Sequence, residues 1–292
     1  MRNLKFNIHY IGIAISFFIV LSLSSGLSAQ QTSLPGDWLA HLSNRNVKLT
    51  EFDGKYLYAF TSKSYFKYDL ENGEFYTVSK IEGLSDVNIS TAKYNASNKA
   101  LIIGYNSGII DIVYTNKTYT IKDISNASGL SSRRINNIYT EGDTAYLACD
   151  FGIVVVNIPK LEIKSTYFLG NSQESILVND LALAFDSIYV TTNKGVYTAA
   201  RKGINLHNFQ NWIRLTNIPY DSMHFSFIEK IGDKLYMVAK EAQNGSDKIL
   251  IYKNGYQSNY LDTKSFRVKQ LDKKGSNYTI IADYDIRILN ES

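Results

Sequence analysis

The amino-acid sequence predicts an all-β fold, a β-propeller of four-stranded antiparallel blades with six repeat units visible and the last one incomplete. Three observations predict it. One module, an apolar strand, a short turn usually holding glycine and a second apolar strand, recurs every 43 or 44 residues, a period that belongs to propeller blades. Each period is rich in the Tyr, Ile, Val, Phe and Thr that suit a pleated surface, with room for four strands of five to seven residues. Apolar positions do not recur at the three- and four-residue spacing of a helical repeat.

The clearest copies are Ala100–Tyr105 with Gly108, Ala145–Ala148 with Gly152, and Ser187–Thr192 with Gly195. Tyr56–Thr61 is an earlier copy in which Ser64 replaces the glycine; Lys234–Ala239, with an insertion before Ile249, and Tyr278–Ala282, turning through Asp285, are looser. A second marker, Gly83-Leu84-Ser85-Asp86 and Gly129-Leu130-Ser131-Ser132, repeats after 46 residues. In the second unit the strands read Ile89–Asn95, Ala100–Tyr105, Ile109–Tyr114 and Tyr119–Ile124. The second strand of a unit is apolar at nearly every position, as for a strand covered on both faces. The fourth, such as Glu162–Tyr167, alternates and reads as peripheral. Gly108, Gly152 and Gly195 are expected to supply a positive φ at two-residue hairpin corners. No helix follows them, so a phosphate-cradling loop lacks its context.

Residues 1–29 read as a signal peptide: Arg2 and Lys5, an apolar run from Ile11 to Leu23, and small residues up to Ala29, with cleavage expected before Gln30. The run is shorter than the ~20 residues of a membrane-spanning helix. Residues 30–46 hold a strand-like segment, Asp37-Trp38-Leu39-Ala40-His41-Leu42-Ser43, and residues 47–292 the propeller. Five units run from about Val47 to Lys264, and the sixth contributes three strands. Two arrangements stay open. The segment at Trp38 and His41 completes the sixth unit and closes a ring without edges, or the chain is cut from a seven-bladed ring.

The chain has 31 Lys+Arg and 27 Asp+Glu. Loss of Arg2 and Lys5 with the leader leaves a nearly neutral protein, which argues against nucleic-acid binding. Cys149 is the single cysteine, so neither an internal disulfide nor a paired-cysteine metal site is available, and its apolar strand pattern marks a packed thiol. His41, His207 and His224 are scattered without metal-ligand spacing, and Asp69, Glu71 and Asp123 are expected in turns. No nucleophile motif occurs. The expectation is therefore no catalytic, cofactor or metal residue. The 22 tyrosines are expected mainly to pack within strands.

Gly36–Ser43, the Tyr-Ala-Phe-Thr and Tyr-Phe-Lys-Tyr-Asp strings of the first unit, Gly83–Ser90, and Phe151-Gly152-Ile153-Val154-Val155-Val156 together resemble the N-terminal propellers of the PorZ-like family of Bacteroidetes. That family belongs to the group with two-component-regulator propeller repeats. The resemblance implies a cell-surface component of the type IX secretion system, in the complex that processes cargo and attaches it to anionic lipopolysaccharide. It implies as partners a PorU-like sortase, a PorV-like barrel and a PorQ-like protein. The family carries two seven-bladed propellers and a C-terminal sorting domain, so a chain with one propeller reads as a fragment or a shortened relative. Asp143-Thr144-Ala145, Asp186-Ser187-Ile188 and Asp221-Ser222-Met223 resemble the O-glycosylation signal of Bacteroidetes, and only Ser222 falls outside a buried strand pattern. The competing readings are a periplasmic ligand-sensing propeller of a two-component signalling protein and a propeller lyase or glycosidase. The first requires a membrane span and kinase downstream, the second convergent acids or histidines at the channel mouth.

Overall fold

The computed structural model describes residues 46–170, 175–240, 246–253, 256–262, 267–274, 277–282 and 286–290. The chain divides into Met1–His41 and Leu42–Ser292, and every described residue belongs to the second unit. The leader and the segment at Trp38 and His41 lie outside the described residues. Among those residues the strands form six antiparallel sheets, each ordered as in the sequence, so that hairpins make every connection within a sheet.

Blade 1 holds β1 (Leu49–Phe52), β2 (Tyr56–Phe60), β3 (Ser64–Asp69) and β4 (Phe75–Ser79). Blade 2 holds β5 (Ile89–Asn95), β6 (Ala100–Tyr105), β7 (Ile110–Val113) and β8 (Thr118–Ile121). Blade 3 holds β9 (Ile135–Glu141), β10 (Thr144–Cys149), β11 (Gly152–Asn157) and β12 (Glu162–Tyr167). Blade 4 holds β13 (Val178–Ala184), β14 (Ser187–Thr192), β15 (Gly195–Ala200) and β16 (Ile213–Arg214). Blade 5 holds β17 (Phe225–Ile231), β18 (Lys234–Ala239), β19 (Lys248–Lys253) and β20 (Tyr256–Asp262). Blade 6 holds β21 (Val268–Lys274), β22 (Asn277–Ala282) and β23 (Ile286–Asn290). The first strands stand side by side, β1 next to β5, then β9, β13, β17 and β21, so they are innermost around a common channel.

The sheets stack through five apolar clusters, one for each junction between consecutive blades. The second strands explain why. In β10, Ala145, Leu147 and Cys149 point to blade 2, while Ala148 joins Ile153, Val178, Leu181 and Val190 on the side of blade 4. A strand with period-two side chains and two covered faces must be apolar throughout, and each fully buried Val, Leu or Ile contributes about 1.5–3 kcal/mol. β12, by contrast, is partly exposed along its length. Cys149 is fully buried, and burial pushes its thiol pKa up. Many tyrosines serve packing as expected: Tyr58, Tyr65, Tyr105, Tyr189, Tyr236 and Tyr252 are buried.

Three sequence expectations need correction. The third and fourth strands of blade 2 are shorter than Ile109–Tyr114 and displaced from Tyr119–Ile124, because Asp123–Asn126 forms a single helical turn, α1, that buries Ile124. Asp69 caps the turn after β3, as expected, but it is not solvated there. It is buried at the end of β3, where its carboxylate accepts the N–H groups of Glu71 and Asn72 and pairs with Lys55. The turn glycines do adopt positive φ, but not at two-residue corners. Gly108 closes a three-residue connection from Tyr105 to Ile109. Gly152 and Gly195 follow two-residue corners as the first residues of their strands, paired with Cys149 and Thr192.

What these two positions require is close approach. A Cβ on Gly152 would lie 2.2 Å from the carbonyl oxygen of Tyr167, and one on Gly195 2.1 Å from that of Asp221. In blade 1 Ser64 takes the same place with ordinary backbone angles, and Thr61 Oγ1 accepts its N–H. Gly195→Ala is expected to destabilise the fold by more than ~3 kcal/mol, since it adds a backbone clash to the ~1–3 kcal/mol of an unfavourable φ. Gly142→Ala, with φ +55 and nothing within 4 Å, carries the conformational term alone. Urea unfolding of the two variants measures the difference.

Candidate functional site

The channel end of each blade is built from one recurring device. β5, β9, β13, β17 and β21 all begin with a buried apolar residue, Ile89, Ile135, Val178, Phe225 and Val268. The next residue, Ser90, Asn136, Asn179, Ser226 or Lys269, is left out of the ladder as a β-bulge. A bulge adds a residue, bends the strand and re-aims a side chain. Ser90, Asn136, Asn179 and Lys269 line the channel. β1 pairs without a bulge.

The bulged asparagines tie blades together. Asn136 Nδ2 donates to the carbonyl of Val178 at 2.8 Å, and Asn179 Nδ2 donates to that of Phe225 at 2.7 Å. In blade 6 the same carbonyl, on Val268, accepts from Lys240 Nζ of blade 5, while Asp247 accepts the Val268 N–H at 2.7 Å. One residue after Asn179, Asp180 connects three blades. Its carboxylate accepts Asn137 Nδ2 of blade 3 at 2.6 Å, the N–H of Leu181 at 2.7 Å in its own blade, and the N–H of Ile228 of blade 5 at 2.9 Å. Burial pushes the Asp180 pKa up to about 7, against the pull of these donors. Between blades 1 and 2, Glu51 accepts Tyr94 N–H at 3.1 Å and pairs with Lys93 at 3.2 Å.

The channel itself is small, about 210 Å³, with walls of amide, hydroxyl and both signs of charge, including Lys48, Lys93 and Lys269 beside Glu51, Asp180 and Glu229. Drug-sized ligands occupy about 300–1,000 Å³, so the channel suits waters or a small polar molecule. Larger partners must meet the ends or sides of the blades. At the end where the bulges lie, three of the connections from an outer strand to the next inner strand, β4 to β5, β12 to β13 and β16 to β17, expose Ile81, Val87, Phe168 and Tyr220. The opposite end exposes Leu70, Ile204 and Phe209.

The remaining sequence candidates are dispersed. His207 meets the Tyr167 ring edge-on at 5.2 Å, and His224 Nε2 lies 3.1 Å from Asn179 Nδ2. Ser222 is exposed in the turn before β17, beside an Asp221 whose side chain faces Arg214 at 3.7 Å. Among the described residues no group of three or more His, Cys, Asp or Glu is placed to hold a metal ion. Nor is any helix among them long and apolar enough to cross a membrane. Sequence reading missed the bulge residues and Asp180, although a signal existed: an apolar residue followed by two further residues, polar in most copies, as in Ile89-Ser90-Thr91, Ile135-Asn136-Asn137 and Val178-Asn179-Asp180.

Six radially arranged sheets with bulged inner strands around a polar channel define a β-propeller. The model of the TSS9 PorZ N-terminal β-propeller domain matches residues 57–213, more than half of the chain. The chain belongs to this family of type IX secretion system propellers. PorZ of Porphyromonas gingivalis, described as an essential bacterial surface component of the type IX secretion system, superposes with a TM-score of 0.70 at 20% identity. The match covers 84% of this chain and 32% of that one, so the chain spans about a third of that protein's length. The β-propeller domain of Myceliophteria thermophila Cps50 (Swd1) superposes at TM-score 0.61 and 10% identity, covering 84% of this chain and 83% of that one. The WD40 repeats of RRP9 do so at 0.60 and 12%, covering 82% and 73%. At these identities the structural likenesses establish the fold alone. Comparison with curated proteins gives no match.

Asn179→Ala is expected to cost about 1–3 kcal/mol in denaturant unfolding, because it leaves the Phe225 carbonyl without its donor. Asp180 gives a pH dependence of definite sign. Its folded pKa lies above the ordinary aspartate value of 3.8, so the folded state holds the proton more tightly than the unfolded state. Its contribution to stability is full below about pH 4 and is lost as pH rises through about 7. Asp180→Asn is expected to flatten this part of the stability profile between pH 4 and 7, as thermal unfolding across that range will show.

Proposed function

We propose that this propeller is a non-catalytic binding and scaffolding module of the type IX secretion system, acting at the cell surface where cargo is processed and attached to anionic lipopolysaccharide. The family match over residues 57–213 carries this reading. The narrow channel supports it, since a cavity of about 210 Å³ leaves the blade ends as the surfaces able to meet macromolecules. The partners that fit are a PorU-like sortase, a PorV-like barrel and a PorQ-like protein, with anionic lipopolysaccharide as a further ligand. Export to the periplasm or the outer-membrane surface is supported by the leader-like residues 1–29 and by the surface location stated for the Porphyromonas gingivalis protein. Ser222, exposed on a turn, is the site proposed for O-glycosylation.

The contact face we assign is the end carrying the bulges, where Ile81, Val87, Phe168 and Tyr220 stand exposed on three of the inter-blade connections. Exposed apolar residues grouped on one side mark interaction surfaces. Affinity capture of the tagged protein from its native outer membrane, with a gene deletion in parallel, tests the proposal. Sortase or barrel partners are expected in the captured material, and the deletion is expected to impair cargo attachment. Ile81→Asp with Phe168→Asp should abolish capture, and Leu70→Asp with Phe209→Asp should leave it intact. Absence of both partners with cargo attachment undisturbed overturns the reading.

A further inference from the structure

At the end of the ring opposite the bulges, blades 2 and 3 part around a pocket of about 410 Å³, a volume in the range that encloses a small molecule. Three connections form it: β5 to β6 and β7 to β8 in blade 2, and β11 to β12 in blade 3. Ile112 pairs directly with Tyr119, and Tyr114 stands two residues beyond Ile112 on the same side of the sheet. Both tyrosines therefore extend the side of blade 2 that Ile112 buries against blade 3, and Tyr114 and Leu161 pack on the rim of that buried cluster. The two rings meet edge to face at 5.9 Å and wall the pocket together.

Its charge is all of one sign. Lys99 and Lys117 line it, and no Asp or Glu is among the lining residues. Among the described residues neither lysine forms an ion pair. Lys117 Nζ rests 4.4 Å from the centre of the Tyr119 ring, and such an exposed cation–π contact is weak enough for a carboxylate to draw the ammonium away. Asn98 is committed on one side only. Its Nδ2 donates to Asn95 at 3.0 Å, to the Gly142 carbonyl at 3.3 Å and to Asp143 at 3.2 Å, which leaves Oδ1 as an open acceptor. The pocket at Arg201 is of similar size, about 440 Å³, but there Arg201 already pairs with Glu141, and Asp233 with Lys253.

An aromatic wall, an open amide oxygen and uncompensated positive charge suit a ligand with an apolar face, hydroxyl donors and an anionic group. A pyranose has a C–H face that lies on a tyrosine ring and a rim of hydroxyls, and a carboxylate on it supplies the anion. We propose that this pocket binds a hexuronate, with its ring against Tyr119, its carboxylate paired with Lys99 and Lys117, and a hydroxyl donating to Asn98 Oδ1. The assignment rests on the pocket and not on a role in secretion.

Saturation-transfer NMR and titration of the purified protein with glucuronate, galacturonate, glucose and acetate test it. One of the two hexuronates is expected to bind roughly tenfold or more tightly than glucose, the difference that a hydrogen bond to a charged group supplies. Acetate is expected not to displace it. Lys99→Gln with Lys117→Gln should remove the preference over glucose, and both side chains are exposed, so the fold tolerates the change. Tyr119→Ala should abolish saturation transfer to the sugar ring, whereas Lys160→Gln, at an exposed side chain outside the pocket, should alter nothing. Failure of both hexuronates to bind at millimolar concentration, equal binding of glucose, displacement by equimolar acetate, or undiminished binding in the double lysine variant each overturns the proposal. Because the sugars are added to the isolated protein, the result is independent of whether sortase or barrel partners are captured from the outer membrane.

Discussion

Backbone ladders stop at the edge of each sheet, so the ring depends on what passes between sheets: apolar faces and a short series of polar ties to the ends of the inner strands. Asp180 is the most demanding of these. A buried carboxylate that gathers donors from blades 3, 4 and 5 fixes the spacing of three sheets at the wall of the channel. Asn136, Asn179 and Lys240 repeat the principle by capping the first carbonyl of the following blade. Apolar packing supplies most of the attraction and is nearly indifferent to sliding. Directional hydrogen bonds to backbone groups select one alignment, and an unmet buried carbonyl makes the alternatives expensive.

Much of the architecture was legible because propeller blades repeat. The Ala100–Tyr105, Glu162–Tyr167 and Ser187–Thr192 segments appear as strands with the bounds the apolar pattern indicates, since sheet burial writes directly into hydrophobic periodicity. The device at the channel was harder to read. A bulge leaves no mark on hydropathy, and Ser, Asn and Lys at its position share polarity rather than identity. Gly152 and Gly195 stood out in the sequence, yet the reason for them lies in carbonyl oxygens 15 and 26 residues further along the chain, those of Tyr167 and Asp221. Local turn chemistry could not reveal a contact of that range. Trp212 was equally silent, although it is buried beside Tyr167 with its indole N–H donated to Leu206.

The functional reading rests on a similar division. Family membership attaches the fold to type IX secretion, while the physical features limit how such a module can act. A channel walled by balanced charge has little to draw in a strongly anionic or cationic ligand, and a volume of about 210 Å³ suits waters or a small polar molecule. The exposed connections between blades are held at their spacing by the apolar junctions and polar ties that join the sheets.

The bulges have one more consequence. Because the extra residue stands outside the ladder, its side chain can change without moving a single cross-strand pair. Ser90, Asn136, Asn179, Ser226 and Lys269 already sample three different chemistries at one geometric position. The lining of the channel mouth thus varies from blade to blade with no change of register, and where the residue is asparagine, as at positions 136 and 179, the same side chain also ties its blade to the next.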